Sequence, residues 1–164
     1  MRFSSNFGTA IHTLLIIGEC SKTQRITSKV IADRLGTSPV LVRNLITILQ
    51  EAGLLTVAPN NSRAGTTLAK PLDQITLYDL FCVIEPNHAK ELTDTTTRLA
   101  KRSHIGLYAN QIIAGYVEKA LGAAKNELEK ITLADTLDDL LKKEAESPYD
   151  DPRALFPKSD NKTT

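Results

Sequence analysis

Hydrophobic positions in the first third of the chain recur at the three- and four-residue spacing of α-helices. The first stripe consists of Phe7, Ala10, Ile11, Leu14, Leu15 and Gly18. Ser4 or Ser5 is expected to cap this helix, because a serine oxygen accepts a first-turn N–H. A second stripe consists of Val30, Ile31 and Leu35. It predicts a short helix over residues 27–35, ended by Gly36.

A third helix is predicted from Ser38 to about Ala52, because Ser38 suits the N-cap and Pro39 the first helical position. Gly53 follows as a stop. The stripe expected to be buried consists of Val42, Leu45, Ile46 and Leu49. The 3.6-residue period then leaves the opposite side exposed. That side carries Val40, Arg43, Asn44 and Thr47.

Two β-strands are predicted next, over residues 54–58 and 66–69, with a turn-rich segment at 59–65 between them. Pro71 ends this hairpin. The order of helix, short helix, glycine-containing turn, helix and hairpin is typical of a winged helix-turn-helix.

Helical spacing returns in the second half of the chain. A helix capped by Thr76 is expected to end near Pro86, and polar residues 87–103 are expected to form a loop. A long helix follows over residues 103–130, and a last helix is capped by Thr132. Residues 147–164 contain three prolines and little apolar content, which predicts a disordered tail.

The predicted fold is therefore mainly α with a small β-hairpin: a winged helix-turn-helix plus a long dimerisation helix. The predicted domains are a DNA-binding domain over residues 1–85, a connecting segment with the dimerisation and C-terminal helices over 86–146, and the tail over 147–164.

The long helix carries an apolar stripe that needs a partner surface, and a second copy of the chain is the economical partner. The stripe consists of Ile105, Tyr108, Ile112, Tyr116, Ala120, Ala124 and Leu128, widened by Ile113, Val117 and Leu121. It predicts a homodimer.

Charge is unevenly distributed although the net charge is only +1. Residues 1–70 hold eight Lys/Arg against three Asp/Glu, and residues 71–164 hold twelve against sixteen. A basic first half is consistent with a polyanionic partner, although ordinary scatter explains it equally well.

The third helix of such a unit enters the DNA major groove, where arginine pairs with guanine, asparagine with adenine, and valine contacts a thymine methyl. The candidate base contacts are Ser38, Val40, Arg43, Asn44 and Thr47. The candidate wing-tip contacts are Asn60, Asn61, Ser62 and Arg63. The candidate backbone contacts, at helix starts, are Arg2, Ser4, Thr27, Ser28 and Lys29. A small fold with a solvated polar face is the competing interpretation.

No phosphate loop, nucleophile motif or metal-ligand spacing occurs in the sequence, so we expect no enzyme, no metal and no cofactor. Cys20 is a candidate redox-sensing thiol, because Lys22 and Arg25 are close in sequence, although a buried structural cysteine is the favoured interpretation. No apolar run is long enough to cross a membrane. Together with only two cysteines, this predicts a cytoplasmic protein.

Three stretches carry a resemblance to a known family: MRFSSNFGTAIHTLL, ITSKVIADRLGTSPVLVRNLITILQEAGLL and NSRAGTTLAKPLDQITLYDLFCVIE, with ITLADTLDDLL further on. Over residues 1–141 the chain resembles the bacterial Rrf-two winged-helix regulators. The resemblance implies a homodimer joined by the long helix. It also implies DNA contacts at Ser38, Pro39, Val40, Arg43 and Asn44 and at residues 60–63.

The chain departs from the cluster-binding members of that family. Those members carry three cysteines between the helix after the wing and the dimerisation helix, whereas residues 86–105 here contain none. The sequence therefore resembles the cluster-free members, such as the cysteine-metabolism repressor, and we expect no iron–sulfur cluster.

The expected function is a sequence-specific DNA-binding transcriptional regulator, a repressor acting as a homodimer on an inverted-repeat operator. The expected partners are double-stranded DNA and a second copy of the chain. Two alternatives stay open. One is a regulatory protein-interaction module that docks an enzyme partner. The other is a small-molecule receptor whose effector binds at the dimer interface or near residues 86–105, where residues 93–97 form a polar run.

Overall fold

A computed structural model describes residues 3–21, 24–58, 65–93 and 104–146. The helices are α1 (Ser5–Cys20), α2 (Ser28–Leu35), α3 (Pro39–Glu51), α4 (Leu77–Ile84), α5 (Pro86–Thr93), α6 (His104–Lys130) and α7 (Leu133–Glu146). The strands are β1 (Leu55–Val57) and β2 (Thr66–Leu68), and a 3-10 turn covers Leu72–Gln74. The predicted fold class, mainly helical with one two-stranded hairpin, is confirmed.

Helix α1 lies at the centre of the core. It contacts α2 and α3, and it also contacts α4, α7 and β2. Its residues Thr13, Leu14, Leu15, Ile16 and Ile17 are all buried. This burial extends beyond the single stripe predicted from the sequence, because neighbours pack on more than one side of the helix. Removing this much apolar surface from water is the main stabilising contribution of the domain.

The turn between α2 and α3 follows from three residues. Gly36 ends α2 with φ +61°, a left-handed conformation that costs glycine little. The Ser38 hydroxyl accepts a hydrogen bond from the Val40 N–H at 3.2 Å, and Pro39 occupies the first helical position. These residues fix where α3 begins relative to α2.

The hairpin pairs β1 and β2 antiparallel, with Leu55 opposite Leu68 and Val57 opposite Thr66. A parallel bridge joins Gly65 to Ile26, which lies just before α2. The Thr66 N–H donates to the Ile26 carbonyl at 3.1 Å. A Cβ atom at position 65 would lie 2.6 Å from that carbonyl oxygen, and the φ of Gly65 is +66°. Only glycine fits this close approach without strain.

The pattern Ile-Thr-Leu-x-Asp occurs twice, at residues 75–79 and 131–135. Both copies form capping boxes: Thr76 pairs reciprocally with Asp79, and Thr132 pairs with Asp135. The two copies also pair with each other, since the Leu77 N–H donates to the Ile131 carbonyl and the Leu133 N–H to the Ile75 carbonyl, each at 2.9 Å. Both threonine caps were predicted, but the pairing that holds α7 against the N-terminal core was not.

Helix α5 corrects the expected loop at residues 87–103. Pro86, which was expected only to mark the end of α4, is the first residue of α5. Proline suits this position because a backbone N–H there would have no partner within the helix. Ala89 is buried in the core, which anchors the short helix. The part of the predicted loop at 94–103 lies outside the described residues, as does the predicted tail at 147–164.

The cap of α1 also differs in detail from the prediction. Ser4 occupies the N-cap position, but its hydroxyl makes no capping hydrogen bond. Its backbone N–H instead donates to the Glu85 carboxylate at 3.1 Å. Phe3 beside it contacts the rings of Phe7 and Phe81, so the entry to α1 is fixed by packing against α4. None of the described helices is long and apolar enough to cross a membrane.

Candidate DNA interface

Helix α3 presents a mixed polar and apolar surface to solvent. Val42, Leu45, Ile46 and Leu49 face the core as predicted. The predicted contact residues on the other side are exposed: Ser38, Pro39, Val40, Arg43, Asn44 and Thr47. Val40 is 60% exposed. The Thr47 hydroxyl donates to the Arg43 carbonyl at 3.1 Å and keeps its acceptor lone pairs.

Ile48 belongs to the same exposed surface and was missed in the sequence analysis. It is 40% exposed and lies four residues after Asn44, and thus on the same ridge of the helix as Val40 and Asn44. An exposed isoleucine among polar contact residues could have been found from the helical period alone.

The start of α2 lies next to α3 and the base of the wing. The Thr27 hydroxyl caps α2 by accepting from the Val30 N–H at 3.4 Å. Thr27 and Ser28 line a cleft of about 280 Å³ together with Arg43 of α3, while Lys29 is exposed nearby in sequence. The structure thus brings together three of the predicted residues, from two separate stretches of sequence.

The cleft is also lined by residues that were not predicted as DNA contacts, among them Arg25 and Val57. Arg25 lies two residues before the cap Thr27 of α2, and Val57 ends strand β1. The signal for Arg25 was a basic residue close before a helix cap. Val57 could not have been found without the tertiary fold, because its place beside Arg43 depends on how the hairpin packs.

Some predicted contact residues lie outside the described residues, and one of the described residues, Ser4, binds a carboxylate of its own chain. Arg2 and the wing-tip residues Asn60, Asn61, Ser62 and Arg63 are outside the described part of the chain. Ser4 is described, but its backbone N–H donates to the Glu85 carboxylate. A carboxylate at that place disfavours a phosphate nearby, so Ser4 is the weakest of the predicted backbone contacts.

Cys20 is buried, 5% exposed, at the end of α1. An Arg34 guanidinium nitrogen lies 3.0 Å from its Sγ, in hydrogen-bonding geometry. Arg34 of α2 is thus a cationic neighbour of Cys20 that the sequence argument, which was based on Lys22 and Arg25, did not name. Burial restricts the access of an oxidant to this sulfur. The redox role of Cys20 stays a prediction.

The predicted dimer stripe divides along α6. Tyr108, Ile112, Tyr116 and Ala120 are exposed, and Tyr116 is exposed to 71%. Ala124 is half-buried, and Leu128 packs against the core of its own chain, as does Leu121. Ile105 is within the helix. The first part of α6 therefore carries an uncovered apolar face, while its last part is attached to the DNA-binding domain.

An iron–sulfur cluster does not fit the residues present. The two cysteines lie on different helices, Cys20 on α1 and Cys82 on α4, and Cys20 contacts Arg34. Among the described residues, no three His, Cys, Asp or Glu side chains are grouped to hold a metal ion. A cluster needs several thiolates or an equivalent ligand set at one place.

Comparison with known proteins agrees with this geometry. The Rrf2 family model, described as an iron-dependent transcriptional regulator, matches residues 3–139. YwgB of Bacillus subtilis (strain 168), which is named as an HTH-type transcriptional regulator, is 35% identical over 85 residues, covering 52% of this chain and 54% of YwgB. The matched region thus spans about half the length of this relative.

Two further proteins match over most of the chain. YwnA of the same bacterium, also named as an HTH-type transcriptional regulator, is 29% identical over 140 residues, covering 84% of this chain and 98% of YwnA. The solved structure of CymR, the global cysteine regulator of B. subtilis, superposes with a TM-score of 0.65 at 17% identity, covering 84% of this chain and 97% of CymR. At that identity the likeness concerns the fold alone.

Proposed function

Because this chain belongs to the Rrf2 family of transcriptional regulators, we propose that it is a homodimeric repressor of an inverted-repeat DNA operator. As a family member it is a DNA-binding regulator of transcription and not an enzyme. The observation that carries the finer proposal is the exposed side of α3, where Arg43 and Asn44 lie beside Val40. These side chains match the donor, acceptor and methyl groups of base edges.

The homodimer is proposed from the uncovered apolar face of α6. Tyr108, Ile112, Ile113, Tyr116 and Val117 are large apolar residues exposed on one helix. Water contact with such a face is unfavourable, and a second copy covers it by two-fold symmetry. Two α3 helices related by that axis would contact two half-sites of opposite orientation, which is an inverted repeat.

Repression is proposed because occupancy of an operator is sufficient for it. A dimer on a promoter excludes polymerase by volume alone, whereas activation requires a further contact surface. The proposed site of action is the cytoplasm, where a bacterial chromosome lies.

The proposal is tested by binding stoichiometry together with a reporter gene. Titration of the purified protein into its operator duplex should saturate at two chains per duplex, and a promoter that contains the operator should be silenced by the protein in cells. Saturation at one chain per duplex would contradict the dimer, and increased reporter expression would contradict repression.

A further inference from the structure

A cleft lies between the start of α2, the middle of α3 and the base of the wing. Its volume is about 280 Å³. The described residues that line it are Arg25, Ile26, Thr27, Ser28, Arg43, Ile46, Val57, Ala58, Gly65 and Thr66. Among these described lining residues, two carry a positive charge, three carry hydroxyls, and none carries a carboxylate. The cleft therefore combines cationic and hydroxyl groups with aliphatic side chains.

The walls of the cleft are held together by backbone hydrogen bonds. Gly65 of the wing is bridged to Ile26, and the Thr66 N–H donates to the Ile26 carbonyl at 3.1 Å. The Ala58 N–H donates to the Gly65 carbonyl at 2.9 Å, which closes the base of the hairpin. These main-chain bonds join the wing base to the residues before α2, and α3 packs against both α2 and β1.

The position of the cleft determines which part of a DNA duplex passes it. In the proposed mode of binding, α3 enters the major groove and the wing reaches the adjacent minor groove. The two grooves are separated by one sugar–phosphate strand. A cleft between α3 and the wing must therefore lie against that strand.

We infer that this cleft binds one sugar–phosphate segment of the operator, with Arg25 contacting the phosphate and Val57 packing on the deoxyribose. The inference deepens the proposed function and rests on it. Thr27 and Ser28 supply hydroxyl donors on the same wall as Arg25, and Val57 is 39% exposed. An anionic phosphate joined to an apolar sugar matches this lining, whereas a free inorganic anion leaves the exposed Val57 without a role.

The test measures how the affinity for the operator depends on salt. Each phosphate contact that is lost makes the negative slope of log K against log salt shallower by about 0.9. Arg25→Gln should therefore weaken binding about tenfold at moderate salt and make the slope less negative by about one, similarly for all sequences. Arg25→Lys keeps the charge and should retain most of the slope. Lys142→Gln removes an exposed charge from α7 and is the matched control with an unchanged slope.

A second arm identifies the phosphate. Neutral methylphosphonate is placed at each position of the operator in turn, and wild type is compared with Arg25→Gln. At one phosphate per half-site, the substitution should weaken wild type and leave Arg25→Gln unaffected. Val57→Asp, which places a carboxylate where the sugar packs, should weaken binding to every sequence. Its unfolding midpoint should stay close to that of the surface control Lys142→Gln.

The outcomes separate this inference from the proposed function. Normal operator binding by wild type with an unchanged slope for Arg25→Gln would overturn the cleft assignment and leave the DNA-binding regulator intact. No binding of wild type to any duplex would overturn both. If millimolar inorganic phosphate raised the Tm of wild type but not of Arg25→Gln, while operator binding stayed equal, the cleft would be a free-anion site and the backbone assignment would be wrong.

Discussion

Side chains on one face of α3 are proposed to determine which DNA sequence the protein recognises. Arg43 and Asn44 are adjacent and exposed, and they lie on a helix whose opposite face is buried by four aliphatic residues. Because the backbone of this helix is ordered by packing before DNA is bound, the conformational entropy lost on binding is confined to the side chains.

Replacing Arg43 by alanine should weaken operator binding by about 1–3 kcal/mol and relax selectivity at one base position in each half-site. The reason is the loss of a bidentate donor pair to guanine. Competition titration against operators mutated at single positions measures both effects. Gln50→Ala, an exposed change on the same helix outside the predicted contact set, is the control. An Arg43→Ala protein with wild-type affinity and selectivity would exclude Arg43 from base recognition.

The exposed face of α3 was predictable from the sequence, because the cap marks where the helix begins and the helical period separates its buried face from its exposed face. Ile48 was within reach of the same argument. The partner of Cys20 was not, since Arg34 approaches it from α2, fourteen residues away. Contacts between elements depend on packing, which a single sequence does not reveal.

At the scale of elements, glycine and capping boxes determine how the helices and the wing are joined. Gly65 lets the wing approach the residues before α2, and the paired Ile-Thr-Leu-x-Asp segments attach α7 to α4. Helix starts and stops in this chain were predictable from caps. Helix α5 was not, because Pro86 was assigned only as the end of α4, and the burial of Ala89 that stabilises the short helix is a tertiary effect.

Gly65→Ala should lower the free energy of unfolding by about 2–4 kcal/mol, because it adds a steric clash to the cost of a left-handed alanine. Its Cβ would lie 2.6 Å from the Ile26 carbonyl oxygen. Gly36→Ala is the matched control: its φ is +61°, but no atom lies within 4 Å of the added Cβ. It should cost about 1 kcal/mol. Urea unfolding compares the two variants, and equal losses would show that the wing contact is not close.

Acid should loosen the attachment of α7. Hydrogen bonds from the Thr132 side chain and backbone hold the pKa of Asp135 below its usual value of 3.8. A carboxylate with a lowered pKa stabilises the folded state above its unfolded pKa, and this contribution is lost as the pH falls from about 4 through the lower folded pKa.

The measurement is urea unfolding of wild type and Asp135→Asn between neutral and acidic pH. Wild type should be the more stable protein at neutral pH, and the difference should shrink as the pH falls below about 4. Asp138→Asn, an exposed change on the same helix, should show a smaller difference. A difference between wild type and Asp135→Asn that is constant with pH would contradict this role of the capping box.

At the scale of the whole molecule, α6 links the DNA-binding domain to the proposed second subunit. Its last turns pack on the core through Leu121 and Leu128, and its first turns expose Ile112 and Tyr116. The stripe itself was evident in the sequence. Its division into two parts was not, because the sequence does not show which turns of α6 pack on the core.

Tyr116→Asp should convert a dimer into a monomer, because it places a charge on the apolar face of α6 proposed to be buried between subunits. Sedimentation velocity at micromolar protein measures the change, and operator affinity should fall with it since two half-sites are no longer bound together. Gln111→Asp, exposed on another side of the helix, should remain dimeric. A Tyr116→Asp protein that sediments as a dimer would move the subunit interface elsewhere.

Two copies of this chain are proposed to bind a defined DNA sequence through α3. This is tested by selecting duplexes that bind the purified protein from a random library, over several rounds under reducing conditions. We expect recovery of an inverted repeat whose half-sites lie about one helical turn, or a multiple of it, apart, with affinity that falls as salt rises. Enrichment of no sequence, or of a single half-site without symmetry, would contradict it.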